Sequence, residues 1–127
     1  QYNVTCAASM CQYAAVEALK NGDDDVKKMK MGYDKRRRFL FESLNEIGLE
    51  CFEPKGAFYA FPSIQNTGLN SQEFAERLLK EARVAVVPGT AFGENGEGFV
   101  RMAYSTSMEN LQEAVERIKG FIKKINI

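Results

Sequence analysis

The chain has 127 residues, 45% hydrophobic and 27% charged, and its 17 basic and 17 acidic side chains cancel. That balance excludes an overall field favouring nucleic acid or an anionic membrane, and no apolar run is long enough to span a bilayer. Histidine is absent, which removes the commonest general base and any Ser-His or Cys-His nucleophile from these residues.

The length suits one domain, residues 1–127, with a modest core. Cys6, Cys11 and Cys51 are odd in number and lack zinc-like spacing, so they read as reduced thiols of an intracellular, cytoplasmic protein with no metal site. Gln1-Tyr2-Asn3-Val4-Thr5 is neither an initiator start nor a signal peptide, and the expectation is a fragment of a longer protein.

From about Thr5 to Lys20, Ala7, Ala8, Cys11, Ala14, Ala15 and Ala18 recur at helical spacing with Met10 and Leu19. An alanine-faced helix allows close approach by another element. Asn21-Gly22 should end it in a left-handed turn. Asp23-Asp24-Asp25 then places carboxylates at the positive end of a second helix. Its stripe is Val26, Met29, Tyr33, Leu40, Leu44 and Ile47, weakened at Gly32 and closed by Gly48. Lys35-Arg36-Arg37-Arg38 within it reads as a solvated face rather than a phosphate patch, because Asp34 and Glu42 dilute it.

Leu49-Glu50-Cys51-Phe52 and Ala57-Phe58-Tyr59-Ala60-Phe61 read as two strands of a hairpin-like antiparallel pair around the turn Glu53-Pro54-Lys55-Gly56. Asn70 and Glu73 have capping-box spacing before a helix striped by Phe74, Leu78, Leu79 and Ala82. Arg83 to Val87 reads as a continuous apolar strand stopped by Pro88-Gly89. The glycine-rich run 90–98 lacks both the P-loop and the G-x-G-x-x-G pattern, so Gly93, Gly96 and Gly98 are expected as turn residues. Thr106 with Glu109 should cap a final helix striped by Leu111, Ala114, Val115, Ile118, Phe121, Ile122 and Ile125. The expected order is α-α-β-β-α-β-β-α, an α+β sandwich with helices on a small antiparallel or mixed sheet.

One strand stands out. In Glu97 to Ser105, Val100, Met102 and Tyr104 point one way, while Phe99, Arg101 and Ala103 point the other. A guanidinium between apolar neighbours is costly to bury unless an anion meets it, and its planar fork matches a carboxylate. The residues alone leave two readings open: a carboxylate-binding arginine, or one that snorkels to water or pairs with a glutamate.

Three stretches in order narrow the choice: Gly56-Ala57-Phe58-Tyr59-Ala60-Phe61-Pro62, Val84-Ala85-Val86-Val87-Pro88-Gly89-Thr90-Ala91-Phe92-Gly93, and Phe99-Val100-Arg101-Met102-Ala103-Tyr104-Ser105. Together they resemble the C-terminal small domain of pyridoxal-phosphate-dependent aminotransferases of the aspartate-aminotransferase type (class I/II, fold type I). The helix Gln12 to Leu19, the arginine run and the final Ser-x-Glu-Asn-Leu helix agree in type and spacing. The resemblance implies that Arg101 holds the α-carboxylate of an amino acid or 2-oxo acid, and that Gly56 and the Phe58-Tyr59 pair line the substrate side of the cleft. It implies a homodimer working in amino-acid metabolism, closure of this domain over the cleft, and a missing N-terminal large domain to which residues 1–22 lead. Tyr2 to Ser9 would lie near the neighbouring subunit's cofactor.

The family's cofactor-bearing lysine belongs to an S-K-x-x-x-x-x-G-x-R type motif that no lysine here matches; Lys55 sits in a turn. Without it the chain has no covalent attachment for pyridoxal phosphate and no positioned acid/base, so it is expected to be inactive alone and to hold no catalytic residue. Two other classes are weighed. A free-standing amino-acid-binding domain would share Arg101. An RNA-recognition module would use Gly96 and Gly98, but Glu97 stands where a base-stacking aromatic belongs, and Asn95 and Met102 also miss.

Overall fold

Leu111, Val115, Ile118, Phe121 and Ile122 recur every three or four residues, which puts them on one side of a helix. In the computed structural model, which describes residues 6–125, that helix is α4 (Met108–Ile125) and all five side chains are buried. Each such burial is worth about 1.5–3 kcal/mol, so this stripe anchors the core. Its first turn is capped by Ser107, whose Oγ accepts from the Asn110 amide at 3.2 Å. The expected cap, Thr106, instead accepts from the Asn110 side chain at 3.0 Å.

The described residues fall into two units that divide between Gly32 and Tyr33. The first holds α1 (Ser9–Asn21) and the opening of α2 (Asp23–Glu46). No residue of α1 is buried, and Met10, Tyr13, Val16 and Leu19 are exposed. Asp23, Asp24 and Asp25 fill the first turn of α2 as expected from its dipole. Gly22 differs from expectation: its φ is −85°, a right-handed cap. Glycine is required there for room, since a Cβ would lie 2.4 Å from the Ala18 carbonyl oxygen. The start of the α1 helical pattern at Thr5 and the segment from Tyr2 lie, up to residue 5, outside the described residues.

In the second unit the α2 stripe buries Leu40 and Leu44 and half-buries Tyr33 and Ile47. Farther up, Val26 and Met29 are exposed. Gly48 ends the helical run at φ +87°, the left-handed conformation glycine tolerates. The sheet has three antiparallel strands, β1 (Tyr59–Ala60), β2 (Val87–Pro88) and β3 (Val100–Ala103), in the order β1-β3-β2. Val100, Met102 and Tyr104 turn into the core with Phe74, Leu78 and Leu49.

The architecture is α+β as expected, but its order among the described residues is α-α-β-α-β-β-α, one strand fewer. Residues 49–52 make no ladder. Asn45 takes the Cys51 backbone instead, its Oδ1 accepting from the Cys51 amide at 3.1 Å, and the Glu50 carbonyl accepts from the Ser63 amide at 2.8 Å. With that strand gone, β1 pairs with β3 rather than in a hairpin. The expected strand 83–87 contributes only its end to β2, and Pro88 continues it rather than stopping it. Asn70 does cap α3 (Ser71–Arg77), accepting from the Glu73 amide at 2.8 Å. A wider π-helical turn, Leu78–Ala82, follows, with Leu78 buried and Leu79 exposed.

Candidate functional site: an arginine over two aromatic rings

Strand alternation places Arg101 on the face of β3 opposite the core, half-buried between core-facing Val100 and Met102. Its Cα is paired with Val87 of β2, while Tyr59 of β1 pairs with the next outward residue, Ala103. The guanidinium carbon lies 4.3 Å from the centroid of the Tyr59 ring and 4.5 Å from that of Phe92. These rings come from segments on opposite flanks of β3. Among the described residues Arg101 has no carboxylate within ion-pair distance and donates no hydrogen bond. The site thus presents a cation held against two rings, and its donors meet no acceptor among the described residues.

The loop between β2 and β3 delivers Phe92. It is built from two short 3-10 turns, Gly89–Phe92 and Glu94–Gly96. Its base closes because two glycines pack backbone to backbone: a Cβ on Gly89 would sit 2.0 Å from the Gly96 carbonyl oxygen. Gly93 and Gly98 have φ of +124° and +80°, so the turn reading of this run holds. Glu97 pins the loop to α3, its carboxylate accepting from the Ser71 amide and the Gly98 amide, each at 2.9 Å. Those two backbone donors hold the Glu97 carboxyl below its ordinary range. Phe61 packs edge-on to Phe92 and stacks on Phe99, which extends the exposed aromatic face beside Arg101.

The turn before β1 is held from the other side. Arg37 bonds Asp34 and Glu53 and donates to the Pro54 carbonyl at 3.2 Å, while Arg36 donates to the Thr106 carbonyl at 2.6 Å. The basic run is therefore only partly the solvated face expected of it: Lys35 and Arg38 are exposed, whereas Arg36 and Arg37 tie loops to α2. The buried Tyr104 donates its hydroxyl to the Ala57 carbonyl at 3.0 Å, across a residue with φ of +57°. Phe58 stacks on Tyr33 and contacts Tyr59.

Of the residues singled out from sequence, Arg101 and Tyr59 are brought together. Gly56 stands in the turn, exposed, where a Cβ would meet nothing within 4 Å. Phe92, which sequence reasoning treated as part of a turn, belongs to the cluster. The available signal was its place as the aromatic residue of the Pro88–Gly93 stretch. A separate cleft of about 280 Å³ is lined by Arg83, Asn110, Glu113 and Arg117. Arg117 is spent there on Glu113 and the Arg83 carbonyl, which leaves it a poorer anion site than Arg101.

The ten lysines are all exposed. None offers the enclosed, desolvated amine that a Schiff base to an aldehyde cofactor uses, so these residues do not fit covalent attachment of pyridoxal phosphate. No helix among the described residues is long and apolar enough to cross a membrane.

Residues 1–118 match the family model described as aminotransferase class I and II. A putative aminotransferase, YugH, of Bacillus subtilis (strain 168) is 57% identical over 124 residues, covering 98% of this chain and 32% of its own length. An aspartate aminotransferase of Pyrococcus abyssi is 49% identical over 97% of this chain and 32% of its own. The crystal structure of an aromatic aminotransferase from Pyrococcus horikoshii OT3 superposes with a TM-score of 0.92 at 52% identity, over 97% of this chain and 33% of that one. The chain spans about a third of the length of the relatives it matches.

Proposed function

The chain belongs to the class I and II aminotransferases, and we propose that it is the C-terminal part of an enzyme moving an amino group between an amino acid and a 2-oxo acid. In that enzyme Arg101 holds the substrate α-carboxylate. The observation that carries this reading is a strand-borne guanidinium, over Tyr59 and Phe92, with no acidic partner among the described residues. A carboxylate meeting it would gain two parallel charge-assisted hydrogen bonds at little cost in order.

The family implies pyridoxal phosphate as the cofactor of the complete enzyme. The group supplies the electron sink for amino transfer when bound. This chain contributes the carboxylate anchor and, with Tyr59 and Gly56, one side of the substrate cleft. The large domain, a second subunit of a homodimer and a cytoplasmic setting in amino-acid metabolism belong to the same proposal.

In the complete enzyme, Arg101→Ala should raise KM for both amino acid and oxo acid about 10- to 100-fold, the worth of hydrogen bonds to a charged group. Cofactor absorbance should be unchanged. Equal KM values for wild type and variant would remove the assignment.

A further inference from the structure

We infer that Phe92 and Tyr59 are positioning residues for Arg101: they hold its guanidinium by its faces so that its edges stay free for the substrate carboxylate. The inference rests on the carboxylate-binding reading above and adds to it how the arginine is kept in place. A long flexible side chain usually gains its geometry from hydrogen bonds or an ion pair, and those consume the donors that a ligand needs. Arg37 is fixed in that way, by Asp34, Glu53 and the Pro54 carbonyl. Arg101 is fixed without them. Aromatic rings attract a cation through the negative charge on their faces and leave in-plane N–H groups untouched.

The rings are themselves anchored by separate parts of the fold. Tyr59 lies in β1, next to Phe58, whose ring is 4.6 Å away. Phe92 is 52% exposed and contributes little to the core, yet its loop is shut by the Gly89–Gly96 contact and pinned through Glu97 to Ser71. A half-exposed phenylalanine on such a tightly closed loop is accounted for by the cation it covers. Its second ring contact is Phe61, at an interplanar angle of 70° and a centroid distance of 6.2 Å, farther than the 4.5 Å to the Arg101 guanidinium.

The test uses the complete enzyme and three variants, with KM and kcat for its fastest amino acid, the competitive inhibition constant of acetate as a bare carboxylate probe, and thermal melts. Phe92→Leu keeps an apolar side chain but removes the aromatic face. It should raise KM and the acetate constant together by about threefold or more, with kcat within about twofold and the melting temperature unchanged. Phe92→Tyr restores a ring and should return both constants to near wild type. Leucine and tyrosine variants that behave alike, or a leucine variant indistinguishable from wild type, overturn the clamp. Arg101→Ala separates the two claims: a large effect there beside a flat Phe92→Leu sinks the clamp alone, whereas no effect there removes the carboxylate reading and the clamp with it.

Discussion

Arg37 and Arg101 are the same side chain in opposite surroundings. Arg37 is 17% exposed, and its donors are divided among Asp34, Glu53 and the Pro54 carbonyl, which fastens the turn before β1 to α2. Arg36 is an intermediate case, resting on the Tyr33 ring at 4.4 Å while donating to the Thr106 carbonyl. Arg101 has two rings and, among the described residues, no carboxylate or carbonyl. An arginine's availability is read from what occupies its edges; its burial and its sequence neighbours do not reveal this. Two arginines of a basic helical run tie loops to α2, while a lone arginine between apolar residues has, among the described residues, only rings against it.

The largest expected break in this contrast is functional. Arg101→Ala should cost 10- to 100-fold in KM, as above, and leave the melting temperature within about one degree, because no carboxylate or carbonyl among the described residues takes its donors. Arg37→Ala should do the reverse. It strands Asp34 and Glu53 and loosens the 53–58 turn, so the melting temperature should fall by roughly 2–4 °C while KM moves far less. If both variants shift the same quantity, the division between glue and ligand site is wrong.

Acid titration sharpens the point. The Arg37 hydrogen bond holds Asp34 below its ordinary 3.8, and the same guanidinium holds Glu53 below 4.5. Both carboxyls are depressed in the folded state, so their stabilisation is complete above about pH 4.5 and is lost as pH falls through the lower folded values. Melting temperatures between pH 6 and 3 should therefore decline more steeply for the wild type than for Arg37→Ala. Glu97, depressed by the Ser71 and Gly98 amides, should keep a residual slope in both. The smallest effect is expected at Tyr104→Phe, which removes the hydroxyl bound to the Ala57 carbonyl and should cost about 1 kcal/mol in denaturant unfolding.

What could be read from sequence follows what is local. The α4 stripe and the Asn70 cap depend on residues three and four apart, and both appear as expected. The strand at 49–52 fails because its backbone partners are an asparagine side chain and the distant Ser63 amide, which no periodicity reveals. Residue type points to a left-handed turn at Gly22, but what requires glycine is the nearness of the Ala18 carbonyl. At the site, alternation put Arg101 on the right face, and the family resemblance supplied its expected role. Phe92 is not legible as a site residue, since its approach to the guanidinium depends on closure of the 89–98 loop at Gly89 and Gly96.

Whether Arg101 meets a carboxylate through its planar fork is decided by Arg101→Lys in the complete enzyme. Lysine keeps the positive charge but offers a single point of contact in place of two parallel bonds. With two bonds replaced by one, KM for the amino acid should rise by about fivefold or more, with the oxo acid following it and the melting temperature holding. A lysine variant that binds both substrates as tightly as the wild type would contradict it.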